Sequence, residues 1–214
     1  QLGMYENYEE SIETISGMVF DSLDQTLLVT GTFYQYMILP DTVIQGQHLD
    51  VFVMKLDLDG HVIWVRTGGG EYHDFSMGIA YDDQQNVYIS GSNDHAATFG
   101  NTIIQQGGFI VKYDMNGNLL WALNKFRYYY YAPGPIYTEA PPLYLSFHNA
   151  SLFVYGSIIS NSIVIDTIAL TEVWGGNASY LASFTPEGEI QWLTKLGGSP
   201  SQTTSNGQIS ADDS

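Results

Sequence analysis

Three clusters hold the residues with the most chemical potential. Asp57-Leu58-Asp59-Gly60-His61 puts two carboxylates and an imidazole side by side, the ligand density that opens a calcium loop. Glu71-Tyr72-His73-Asp74-Phe75 sets a histidine between acids, and Asp94-His95 repeats that pairing further on. A metal would need three or four such ligands to converge. Arg127-Tyr128-Tyr129-Tyr130-Tyr131, with Tyr137 beyond it in Pro-rich sequence, offers flat apolar faces tipped with hydroxyls, which suits carbohydrate or protein recognition. No Ser–His–Asp set and no paired carboxylates stand out. The chain has no cysteine, which excludes a thiolate zinc site, a Cys nucleophile and a disulfide scaffold.

The elements around these clusters repeat. Asp57 to Trp64, Asp114 to Trp121 and Thr185 to Trp192 align without a gap, with Gly60, Gly117 and Gly188 each four positions before Trp64, Trp121 and Trp192. An alternating strand precedes each: Phe52, Met54, Leu56; Phe109, Val111, Tyr113; Tyr180, Ala182, Phe184. Upstream lie runs ending at Gly31, Gly91 and Gly156, and before those Gly17 to Asp21, Gly78 to Asp82 and the divergent Leu143 to Phe147. Four short strands per unit, recurring at this period, predict an all-β β-propeller of four-stranded antiparallel blades.

The predicted organisation is a post-strand loop at 1–16, blade one at 17–70, blade two at 71–126, a Tyr/Pro-rich insertion at 127–142, blade three at 143–198 and the start of a fourth at 199–214. Closed propellers have about four to eight blades, so the expectation is a piece of a larger propeller. Apolar faces carrying Phe52, Trp64, Tyr180 and Trp192 would then be exposed on the outer blades.

Composition bounds the partners. The 214 residues carry 6 basic and 23 acidic side chains, and the resulting charge of −17 repels nucleic acid and anionic membranes. No apolar run reaches the roughly 18 residues of a spanning helix.

With these motifs in hand, the chain resembles the propeller repeats of large secreted proteins from Bacteroidota. The likeness rests on Asp50 to Trp64 with Gly68-Gly69, on Gly78 to Gly91, on Phe99-Gly100-Asn101-Thr102 and on Phe109 to Trp121. It implies export by the type IX secretion route, an extracellular or cell-surface location, and secretion-system components among the partners. Asp21-Ser22-Leu23, Asp41-Thr42-Val43 and Asp166-Thr167-Ile168 resemble O-glycan acceptor sites of such proteins, making Ser22, Thr42 and Thr167 candidates. Asn149-Ala150-Ser151 and Asn177-Ala178-Ser179 fit the N-glycan rule, which matters only for a eukaryotic source.

Against this frame each chemical cluster has a plainer explanation. The second and third copies replace the middle acid of the Asp57 segment with Asn116 and Glu187, and the first with Thr185, while the Gly persists. A hairpin turn with Gly at positive φ accounts for that pattern better than a calcium loop does. Quinoprotein blades also end in Gly-x-x-x-Trp, but tryptophans at one phase of a repeat are most simply packing residues. The five histidines do not recur at equivalent positions, so the Glu71–Phe75 and Asp94-His95 groups read as solvated loops. The Tyr-rich segment reads as a recognition loop or as a cover for a blade edge. The expectation is a non-catalytic secreted or cell-surface module that binds or scaffolds protein or glycan, with no cofactor, metal or catalytic residue. The alternatives are a quinoprotein-like or glycan-active propeller enzyme, and a structural subunit of a surface assembly.

Overall fold

The structure is a computed structural model that describes residues 13–129, 143–158, 162–170 and 178–197. Among them every regular element is a β-strand, and every pairing is antiparallel. The strands are β1 (Glu13–Asp21), β2 (Thr26–Leu39), β3 (Thr42–Leu56), β4 (Val62–Gly69), β5 (Asp74–Tyr81), β6 (Val87–Asn93), β7 (Ala97–Phe99) and β8 (Thr102–Ile104). They continue with β9 (Gly107–Tyr113), β10 (Leu119–Tyr129), β11 (Leu143–His148), β12 (Ser151–Ile158), β13 (Ser162–Ile165), β14 (Ile168–Leu170), β15 (Ala178–Phe184) and β16 (Ile190–Leu196).

Three four-stranded meanders make three sheets, β1-β2-β3-β4, β5-β6-β9-β10 and β11-β12-β15-β16. The link between the second and third strands of a meander forms a small hairpin. In the second and third meanders that hairpin leaves its own sheet and pairs with the outer strand of the sheet before it. Thus β7–β8 extends the first sheet at β4, through Gly68 opposite Phe99, and β13–β14 extends the second at β10, through Phe126 opposite Ile165. In the first meander the same link continues β2 and β3 as one long ladder, closed at Leu39 opposite Thr42.

Period-two patterning drives the packing. β12 alternates half-buried and buried residues along its whole length, and β6 is buried on both faces because sheets flank it. One core joins the second and third sheets around Tyr88, Phe126, Leu143, Tyr180 and Phe184. Another joins the first and second around Val51, Trp64, Phe99, Phe109 and Val111. A third cluster, Val29, Phe33, Met37, Phe52 and Met54, belongs to the first sheet alone.

Three expectations need correction. Phe52, Trp64 and Tyr180 are buried rather than exposed, because neighbouring sheets and the first sheet's own cluster cover them. Of the four only Trp192, 40% accessible, stands on the surface. Strand β10 also runs on to Tyr129, so Arg127 to Tyr129 form a ladder with Val164, Ile163 and Ser162 instead of opening an inserted loop. Register further places Tyr144 with Gly17 and Gly78, since these pair with Tyr155, Thr30 and Ser90, one residue on from the alignment read in the sequence.

Candidate functional site

The Asp57 segment forms a hairpin turn in all three copies. Gly60, Gly117 and Gly188 donate N–H to the carbonyls of Asp57, Asp114 and Thr185 at 3.1, 2.9 and 2.9 Å, with φ of 85°, 76° and 84°. Asp57 Oδ1 accepts from the N–H groups of Asp59 and His61, and Asp114 Oδ1 from those of Asn116 and Asn118. Thr185 Oγ1 fills the same role in the third copy. The backbone bond from His61 is the main reason the Asp57 carboxyl is held below its usual range. Asp57, Asp59 and His61 do bring ligand atoms within 4.8 Å of one another, but Asp57 spends both oxygens on its own turn.

The second and third turns are each also half of a joint between sheets. Trp64 Nε1 donates to the Met115 carbonyl at 3.1 Å, and Trp121 Nε1 to the Pro186 carbonyl at 3.3 Å, the same turn position in the next copy. A cation follows each Trp: Arg66 Nε donates to the Gly117 carbonyl at 2.7 Å, and Lys125 Nζ to the Gly188 carbonyl at 3.0 Å. Hydroxyls complete the joints, with Thr30 and Ser76 Oγ atoms 2.7 Å apart and Ser90 donating to the Leu143 carbonyl at 2.5 Å.

Sequence reasoning passed over a set of buried charges at the inner turns. Asp82, nearly inaccessible, accepts from the backbone and side chain of Asn86, from Tyr88 Oη at 2.9 Å, and faces Lys112 Nζ at 3.4 Å. Burial pushes this carboxyl up, but the Asn86 and Tyr88 bonds and the Lys112 charge outweigh it and hold it low. Lys112 caps the Tyr88 ring at 4.8 Å. In the first sheet buried Lys55 pairs with Asp24 at 2.8 Å, and buried Asp21 accepts from Leu23 N–H and from Gln85. The available signal was that Lys55 and Lys112, two of only six basic residues, stand at one phase of the repeat inside apolar runs.

The Glu71–Phe75 and Asp94-His95 groups come together with Asp50 and His48 at one end of the first two sheets. His73, Glu71 and His95 are exposed there, as solvated loops should be, but Asp74 is not: it is 2% accessible, and Gly70 N–H donates to its Oδ2 at 2.8 Å. Burial, with the charges of Asp50 and Asp94 behind it, pushes the Asp74 carboxyl up to about 8. Asp50 is also buried and raised, chiefly by desolvation, and Gln47 N–H donates to its Oδ2 at 2.9 Å. Gly46 and Gly69 make room for that carboxylate, since a Cβ on either would sit 2.3 and 2.0 Å from its oxygens. His48 meets His73 edge to face at 5.6 Å, and Tyr72 stacks on His95 at 3.7 Å. Beside them lies an open cavity of about 390 Å3 lined by Gln45, Gln47, Asp50, Thr67 and Thr98. Such a rim offers amide, hydroxyl and carboxyl groups to a polar ligand, with the Tyr72 and His95 rings exposed near it.

A second concavity, about 500 Å3, runs between the first strands of the three meanders, β1, β5 and β11, lined by Met18, Met77, Ala80, Tyr81, Tyr144 and Phe147 among others.

Of the Tyr-rich candidates, Arg127 is exposed on β10, and Tyr128 and Tyr129 are placed by backbone pairing only. Tyr130, Tyr131 and Tyr137 lie outside the described residues, as does the expected start of a fourth unit. Ser22, Thr42 and Thr167 are all exposed, but Thr42 and Thr167 are not equivalent. Thr42 opens a strand opposite Leu39, the place Ile168 takes opposite Ile165, whereas Thr167 is in the turn itself. Asn149 and Ala150 form the β11–β12 turn with left-handed φ of 47° and 56°, a local reason for Asn there; Asn177 lies outside the described residues.

No known protein-family model matches the chain. In an alignment 125 positions long that covers 48% of the chain, it is 26% identical to an uncharacterized WD repeat-containing protein of Acanthamoeba polyphaga mimivirus. The match covers 9% of that protein's length. Among the described residues no helix is long and apolar enough to cross a membrane, which says nothing of a β-barrel.

Proposed function

We propose that the chain is part of a β-propeller that serves as a binding or scaffold module for protein or glycan. The observation that carries this reading is the order of the three meanders, with β1, β5 and β11 innermost around one groove. Propeller blades run from an inner strand at the axis to an outer strand at the rim. The WD repeat-containing relative supports the same reading, and proteins with such repeats present their loops as contact surfaces. The likeness to secreted Bacteroidota repeats supports an exported, cell-surface location. Recognition belongs to the Tyr-rich segment from Arg127 to Tyr137 and to the rim around Asp50 and Tyr72.

A glycan array and calorimetry with the purified 214-residue chain test this. Saturable binding of a soluble oligosaccharide or a surface protein domain, weakened about tenfold or more by Tyr72→Ala or Tyr137→Ala, is the expected result. Binding that ignores both variants overturns the assignment of the loops. One observation favours the second reading, a glycan-active enzyme: Asp50 lines the open cavity with a second buried carboxyl, Asp74, close behind it, and burial raises both above the usual carboxylate range. Product released from a bound oligosaccharide, and lost in Asp74→Asn, would decide for it.

A further inference from the structure

The polar cavity of about 390 Å3 lies between the first sheet and the hairpin that crosses onto it, with walls from β3, β4 and β7. Asp50 is the one ionisable residue lining it, and no Lys or Arg faces that carboxyl there. Asp50 is 7% accessible, and its Oδ1 is buried without a hydrogen-bond partner. Oδ2 accepts from Gln47 N–H, while Gly70 N–H, which also faces this carboxyl, is given to Asp74 Oδ2 at 2.8 Å. What lies against the carboxylate is glycine, since a Cβ on Gly46 or Gly69 would collide with it. A buried acceptor with no donor costs stability, and a charged one costs more.

The repeat does not demand that cost. Register sets Asp50 opposite Phe33, Gly107 opposite Asn93 and Ala178 opposite Ile158, each two residues before Phe52, Phe109 or Tyr180 of the core. The second and third copies thus keep the pairing with no side-chain oxygen at this position. Groups that serve the fold recur, as the Gly turns and the Trp64 and Trp121 donors do. A buried carboxylate found in one copy only, cleared by two glycines and set in a cavity wall, points instead to a ligand. Other acids share that end of the sheets: Asp74 behind Asp50, Glu71 exposed on the next loop and Asp94 half-buried beyond it.

We propose that this cavity takes the ammonium group of a lysine side chain, presented by a basic segment of a partner protein, in a charge pair with Asp50. An ammonium brings both the missing countercharge and three N–H donors. Gln45, Gln47, Thr67 and Thr98 line the walls with amide and hydroxyl oxygens for the donors that Asp50 does not take. Further cations of the segment meet Glu71 and Asp94, and the charge of −17 steers such a partner in from a distance. The proposal rests on the reading of this rim as a recognition surface and names what the rim recognises.

Calorimetry with the purified chain and a capped peptide of alternating Lys and Ser provides the test. Saturable binding is expected, weakened about tenfold or more by Asp50→Asn. Thr98→Lys, which sets the chain's own ammonium at the cavity wall, should abolish it. Asp83→Asn, which removes an exposed charge from the β5–β6 turn, should leave the affinity within about twofold. Cooperative melts check that each variant is folded, and if Asp50→Asn is not, Thr98→Lys decides alone. The same peptide with every lysine acetylated should not bind. Equal losses in Asp50→Asn and Asp83→Asn overturn the proposal, because the attraction then belongs to the acidic surface as a whole. A neutral oligosaccharide that binds and is weakened by Tyr72→Ala, where the peptide does not bind, overturns the lysine assignment and leaves the recognition surface standing. Binding of neither removes both.

Discussion

At Gly117 two constraints meet: a φ of 76° and the Trp64 ring, 2.9 Å from where a Cβ would stand. Gly60 has the first constraint and not the second. Gly117→Ala should therefore cost about 2–3 kcal/mol and Gly60→Ala about 1 kcal/mol in the isolated chain. Urea denaturation of the two variants measures the difference, and equal losses would mean that Trp64 packing adds nothing. Asp74 makes a separate prediction. Its folded pKa of about 8 exceeds the unfolded value of 3.8, so between those values the unfolded chain is ionised while the folded one stays protonated. Both states are protonated below that window, and through it this group lowers stability by up to about 1.4 kcal/mol per pH unit as pH rises. Asp74→Asn should therefore gain stability relative to wild type at pH 8.5 compared with pH 5. A difference between the two proteins that stays constant with pH would show that Asp74 ionises freely in the fold.

The hairpins that cross from one sheet to the next show where sequence reading stops. The Gly-x-x-x-Trp turns were legible because a positive φ and a fixed spacing are local facts. The crossing of β7–β8 to β4 was not, because Phe99 finds its place against Gly68 in another repeat, and nothing within residues 97–104 names that partner. The same limit hid the Asp50 and Asp74 cluster: Asp74 looks solvated among loop residues until Gly70 N–H binds it in the interior, and Asp50 until Gly46 and Gly69 close over it. It also kept Trp192 from being told apart from Trp64, since the two have equivalent sequence and differ only in what lies beyond them. Phe99 is inaccessible and its ring lies tilted against Phe109 with centroids 4.9 Å apart, so Phe99→Ala should cost about 3–5 kcal/mol. Amide exchange should also accelerate at Gly68 and Gly69, which lose their pairing partners. Unchanged protection there would mean that the β4 edge holds without its hairpin.

Across the whole molecule the excess of acid, −17 in all, keeps the surface soluble while cations are reserved for joints and inner turns. Four of the six basic residues, Lys55, Arg66, Lys112 and Lys125, are committed to such contacts. A surface assignment carries its own prediction. Protein isolated from its native source should exceed the polypeptide mass of this segment, 23.8 kDa, with the excess on exposed Ser22, Thr42 or Thr167. Peptide mass spectrometry that finds all three bare would remove the O-glycan reading and weaken the case for export.

The crossing hairpins also set a clock on synthesis. A ribosome finishes the outer strand of the first sheet at Gly69, but the hairpin that seals its edge ends only at Ile104. At about 5–20 residues per second that interval of about 35 residues lasts ~2–7 s. Throughout it the nascent chain shows an unpaired strand edge, a template for wrong partners. The second sheet waits in the same way, from Tyr129 to Leu170. Translation speed between one sheet and the next is therefore a determinant of yield, and slow codons belong after Ile104 and Leu170, once each edge has been closed.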